Sequence, residues 1–228
     1  LLFDYFNGFN DAANSIATIV ATKVLSPLQA VIWAAFFNFA AFFLVGTSVA
    51  KTVGGDMVNL EYVTPITVLA GLVSSAAWLW GSSHLGLPIS ATHALIGGYA
   101  GAAMARVIHI KGWAFAFDAL RPSGWTMPLV FVVLSPLLGM VLSYLLMIAI
   151  HWIFRHSSPA KMDKWFRSLQ LLSSAIFSLS HGSNDAQKTM GIITGALVAA
   201  KVQGSIDEGI PTWVVLSAYT AIALGTAS

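Results

Sequence analysis

The sequence has no cysteine and very little charge. Only 9% of its 228 residues are Asp, Glu, Lys or Arg, against 57% hydrophobic, and the mean hydropathy is +0.79. Without cysteine there is no disulfide framework and no thiolate metal site, and the redox compartment is unreadable. An ordinary soluble domain carries about a quarter charged residues, so a water-facing surface cannot be built here. The solvent for most of this chain is lipid. A formal net charge of +2 is too small to argue for a nucleic-acid partner. The first residues, Leu1-Leu2-Phe3-Asp4, lack the basic region of a secretory signal. The alternation of a β-barrel is absent too. The chain has no initiating Met and stops inside an apolar run at Ser228, so it reads as a piece of a longer polytopic protein.

What is there is a series of apolar stretches separated by short polar ones. Leu28 to Ala50 carries no charge and approaches the length needed to span a hydrocarbon core of about 30 Å. Lys51 to Glu61 reads as a polar loop, Thr64 to Trp80 as a shorter span, and Met127 to Phe154 as the longest clean one. Arg106 to Thr126 reads as a basic loop. Arg155 to Arg167 has four basic residues against Asp163 and is the best cytoplasmic loop by the positive-inside rule. Lys201 to Pro211, with Asp207 and Glu208, is a further loop before Thr212 starts another span. Trp113, Trp125, Trp152 and Trp165 lie beside loops, as interface belts do. Backbone groups in lipid must be satisfied internally, which makes these spans helices.

Among the eleven Lys and Arg and nine Asp and Glu, only Asp4, Asp11, Asp185 and Lys188 sit inside apolar stretches. Asp4, near the start, reads as interfacial. The other three belong to two echoing clusters, Asn7-Gly8-Phe9-Asn10-Asp11-Ala12-Ala13-Asn14 and Ser180-His181-Gly182-Ser183-Asn184-Asp185-Ala186-Gln187-Lys188. Intramembrane charge is expensive and marks substrate or ion paths. A structural Asp185–Lys188 pair one turn apart is the plainer alternative, but it need not recur in the same words at both ends. Gly8 and Gly182 would let each helix break and free backbone groups for ions. Gly97, Gly101, Gly191 and Gly195 have the spacing of close helix packing, and Asn38, Ser74 and Ser75 read as packing polar residues. Pro88-Ile89-Ser90-Ala91-Thr92-His93 reads as a helix start whose free amides, hydroxyls and imidazole suit an oxyanion, or else as a plain cap. His84 and His93 have no further ligand near them in sequence, which argues against zinc.

These three stretches, in this order and covering essentially the whole chain, resemble the inorganic phosphate transporter (PiT) family, closest to its bacterial proton-coupled type. The resemblance implies an all-α polytopic membrane protein, an inverted-repeat secondary transporter with broken or re-entrant helices, its second repeat truncated. The corresponding divisions are 1–110 for the first repeat, 111–168 for connecting loops and a spanning helix, and 169–228 for the start of the second. It implies that Asn10, Asp11, Ser90, Thr92, His93, Asn184, Asp185 and Lys188 bind substrate, and that Asp11, Asn14 and Asp185 hold the cation if sodium is coupled. The family's second Pro-Ser-Thr-His-like motif is not in the sequence. Lys188 stands where the first copy has Asn14, a pattern similar to proton-coupled members, where a carboxylate or His93 would carry the proton. The implied function is import of inorganic phosphate, or metal-phosphate, with H+ or Na+ across the inner or plasma membrane by a multi-pass protein without cofactor; a homo-oligomer is compatible with it. The alternatives are an intramembrane aspartyl protease built on the two Asp, or a structural or channel-like membrane subunit.

Overall fold

The computed structural model describes residues 1–44, 48–87, 89–205 and 208–228. Pro88 of the expected helix start and Asp207 of the expected loop lie outside the described residues. The helices are α1 (Leu2–Ala21), α2 (Pro27–Ala40), a short α3 (Ser48–Lys51), α4 (Pro65–His84), α5 (Ala91–Lys111), α6 (Pro122–Phe154), α7 (Pro159–Ala199) and α8 (Thr212–Thr226). Among the described residues no strand forms; one antiparallel bridge joins Val58 to Leu120.

Local chemistry sets several boundaries. Ser26 and Gln29 make a reciprocal cap around Pro27, which starts α2. Ser90 accepts from the backbone of His93 and starts α5, and Gly112, at φ 96°, ends it. The apolar stretch from Leu28 does not run as one span. It ends at Ala40, tightens through a 3₁₀ turn at Ala41–Phe43, and α3 begins anew where the Val49 amide donates to Gln187 Oε1 at 3.0 Å. Lys51 to Glu61 is no surface loop either. Thr52–Asp56 forms a π-helical turn after α3, and Val53, Met57 and Val58 are buried. Gly54 lies so close to Gly191 that a Cβ there would come within 2.9 Å of the Gly191 carbonyl carbon, which is why a glycine pair that reads as a loop signal sits in the core. Arg155 to Arg167 is largely helix: the chain turns at 155–158, and α7 then runs unbroken to Ala199.

α7 is the central element. α1 packs on α8, α2 packs on α7 and α8, and α4 and α5 form a hairpin. Ser75 Oγ, at 2.8 Å from Ala94 O, ties the two arms of that hairpin. One apolar cluster joins the hairpin to α1 and α7 through Leu79, Leu95, Tyr99, Phe3 and Ile192; a second lies between α7 and α8 around Met190, Tyr219 and Ile222. Among the described residues, two helices are long and apolar enough to cross a membrane, over Pro65–Ser82 and Pro122–Phe154. In α6 only Gly124 is buried.

Gly8 and Gly182 do not break their helices. α1 and α7 run straight through both polar clusters. Each glycine instead admits a neighbouring backbone: a Cβ on Gly182 would lie 2.7 Å from Asn38 Cα, and one on Gly8 3.0 Å from the Thr226 amide. The first cluster helix thus packs on α8 and the second on α2, through the same residue of the shared motif. Gly191 and Gly195 pack as expected, against Gly54. Gly97 and Gly101 do not, since nothing lies within 4 Å of where their Cβ atoms would be; Gly98, against Gly71 and Ser75, is the packed glycine of α5.

Candidate phosphate and cation site

The two clusters face each other where α1 meets α7. Asp185 is buried, with 8% of its surface exposed. Its Oδ2 accepts from Asn7 Nδ2 of α1 at 2.9 Å, and its Oδ1 forms an ion pair with Lys188. Lys188 Nζ also donates to Thr92 Oγ1 at 2.6 Å, which brings the first turn of α5 to the carboxylates. Asp11, 26% exposed at its side chain, has Oδ2 3.6 Å from His181 Nε2, and that same nitrogen lies 3.4 Å from Asp185 Oδ2. Contacts therefore run both ways. The residue four before Asp11, Asn7, reaches Asp185, and the residue four before Asp185, His181, reaches Asp11.

A hydrogen-bond relay runs behind this junction. Thr226 Oγ1 donates to Ile222 O at 2.9 Å and accepts from Asn38 Nδ2 at 2.8 Å. That orientation leaves Asn38 Oδ1 as an acceptor facing His181 Nδ1 at 3.3 Å, so Nδ1 carries the hydrogen. Nε2 then points a lone pair at two carboxylate oxygens unless a positive species lies between. One ligand atom each from Asp11, His181 and Asp185 lie within 4.8 Å of one another, room for a proton bridge or a metal ion.

The expected residues divide into groups. Asp11, Asp185, Lys188 and Thr92 come together. Ser90 and His93 stay on the exposed first turn of α5, Ser90 as its cap, and among the described residues no bond links the His93 ring to the carboxylates. Asn14 is exposed and donates to Asp11 Oδ1 at 3.4 Å. Asn10 donates to Phe6 O at 2.9 Å beside a cavity with Leu79, Trp80 and His84, and the exposed Asn184 donates to Ser180 Oγ at 3.4 Å. Asp4 is not interfacial. It is wholly buried against α7, where Thr189 Oγ1 donates to its Oδ1 at 2.6 Å. Sequence does not single out Asn7, His181 and Thr189, and it reads Asn38 only as a packing residue. Asn7 and His181 stood inside the quoted clusters, four residues before each Asp, and that shared spacing was the signal for them.

The profile of the phosphate transporter family matches residues 7–165 and 154–228. A probable low-affinity inorganic phosphate transporter of Rhizobium meliloti is 44% identical over 99% of this chain, which spans 65% of that protein. Another of the same description, from Bacillus subtilis, is 42% identical over 99% of this chain and 66% of its own length. The chain thus spans just under two thirds of both relatives. Among solved structures, a sodium-dependent phosphate transporter superposes with a TM-score of 0.79 over 98% of this chain and 72% of its own, at 20% identity, a likeness of fold. The family is one of transporters, which sets the aspartyl-protease alternative aside. With the family profile matched along nearly its whole length and the paired Asn-Asp clusters it carries, the chain belongs to the phosphate transporter family.

Proposed function

We propose that this chain supplies the larger part of a multi-pass carrier that imports inorganic phosphate across the inner or plasma membrane together with a cation, H+ in preference to Na+. The observation that carries the reading is the convergence of Asp11 and Asp185 on one imidazole nitrogen. Two carboxylates repel a phosphate anion, so phosphate enters only with compensating positive charge. Lys188 provides one such charge permanently beside Asp185. Asp11 has no ammonium partner among the described residues, so the carboxylates around the junction are balanced against phosphate only when a transported cation is aboard. Thr92, with the free amides at the start of α5, offers phosphate its donors. Preference for a proton rests on Lys188 filling the place that Asn14 holds in the first cluster.

The reciprocal contacts support a duplicated architecture, with 1–110 as the first repeat, 111–168 as connection and 169–228 as the beginning of the second. Rocking of the repeats about the junction would alternate access. The test is phosphate uptake by the complete protein in proteoliposomes, with pH and sodium gradients imposed separately. Saturable accumulation driven by the pH gradient in the absence of sodium is expected. Accumulation that follows sodium alone removes the proton preference, and entry that no gradient can drive uphill favours a channel.

A further inference from the structure

Asp4 is a buried carboxyl with no task in the scheme above. Thr189 satisfies its Oδ1, while its Oδ2 is buried with no hydrogen-bond partner among the described residues. The same holds for Oδ1 of Asn7, whose Nδ2 is committed to Asp185. Residues 4 and 7 are one turn apart on the same face of α1, and both orphaned atoms are acceptors. Both acceptors lack a donor among the described residues, and one helical turn of separation lets a single hydrogen serve both. A proton on Asp4 Oδ2 supplies it and lets Asn7 join Asp4 to Asp185.

Other charges around α1 do not supply the cation. On α7, Asp185 and Lys188 lie within electrostatic reach of Asp4, but Lys188 is bound to Asp185 and Thr92, and His181 faces Asp11 and Asp185. The titratable side chain of α8 is Tyr219, that of α4 is His84, beside Asn10, and α2 has none. On α1 itself, the amino group of Leu1 lies within electrostatic reach of Asp4 without a hydrogen bond to it, Asp11 faces His181, and the Tyr5 hydroxyl donates to Ser228.

We propose that Asp4 is the carboxyl that binds and releases the coupling proton, with Asn7 conveying its charge state to Asp185. The proton comes from water on the side of entry, joins the Asp4 carboxylate to make a neutral acid, and returns to water on the far side, where the carboxylate is restored. This rests on the carrier reading and assigns its cation to a residue outside the His181 junction.

The experiment compares wild type, Asp4→Asn and Asp4→Glu in the complete protein in proteoliposomes. One arm measures uphill accumulation driven by a pH gradient; the other measures exchange of labelled for unlabelled phosphate at equal concentrations, which needs no net proton movement. Asp4→Asn is expected to lose accumulation by about tenfold or more while exchange stays within about twofold of wild type, and Asp4→Glu is expected to recover accumulation in part. Accumulation by Asp4→Asn with an unaltered pH profile overturns the proposal. So does equal loss of exchange and accumulation in both variants, the mark of a structural role. Wild-type accumulation that answers only to sodium overturns it while leaving the carrier reading intact; absence of any exchange or accumulation in wild type removes the carrier reading itself.

Discussion

The Asn-Asp cluster on α1 and the one on α7 share their wording but differ in electrostatics. On α7, Asp185 is 10% exposed at its side chain and its counter-charge, Lys188, is built into the next turn. On α1, Asp11 is 26% exposed and the corresponding partner, Asn14, is neutral at 3.4 Å. The geometry i to i+3 is kept and the charge is not. A duplicated element has thus become one closed ion pair and one open carboxylate, and of the two only the open one lacks an ammonium partner among the described residues.

Breaking the closed half should have the largest effect on the fold. Asp185→Asn leaves a mostly buried ammonium without its counter-ion and should cost about 3 to 5 kcal/mol, read as a fall in thermal stability in detergent. Asp11→Asn, at the more exposed site, should lower stability by no more than about 1 kcal/mol. Equal losses would mean that the two halves are not electrostatically distinct. A Lys188→Asn substitution makes the second cluster match the first, and uptake should then acquire a dependence on external sodium; uptake that still responds only to pH would show that Lys188 does not set the ion. The glycines give a second contrast, between a packed position and an open one. Gly182→Ala, pressed on the Asn38 backbone, should destabilise by about 1 to 3 kcal/mol. Gly97→Ala, with open space around it, should be neutral or stabilise by up to about 1 kcal/mol; a clear loss there would reveal a helix seated on that face of α5.

Much of the site was legible because charge in an apolar chain is conspicuous. Asp11, Asp185 and Lys188 stand out against their neighbours, and the repeated Asn-Asp wording pointed to one shared junction. Side-chain pairing across helices was not legible. Asp4 looked interfacial from its position near the first residue, yet its neighbour is Thr189, far along the chain. Gly8 and Gly182 looked like helix breaks because glycine serves both breaks and close contacts, and composition cannot tell which backbone lies opposite. Lys51 to Glu61 looked solvated because Gly54-Gly55-Asp56 has loop composition, although Gly54 is there to let α7 approach. His181 was passed over because its importance lies in what Asn38 and Thr226 do to its other nitrogen.

The most direct measurement is labelled phosphate uptake by the complete protein and its Asp11→Asn variant, once under a pH gradient without sodium and once under a sodium gradient without a pH difference. Saturable uptake by the wild type under the pH gradient, with the variant at background in both conditions, is the predicted result. Near-wild-type uptake by Asp11→Asn would contradict the claim that the junction of the two Asn-Asp clusters is where phosphate is carried.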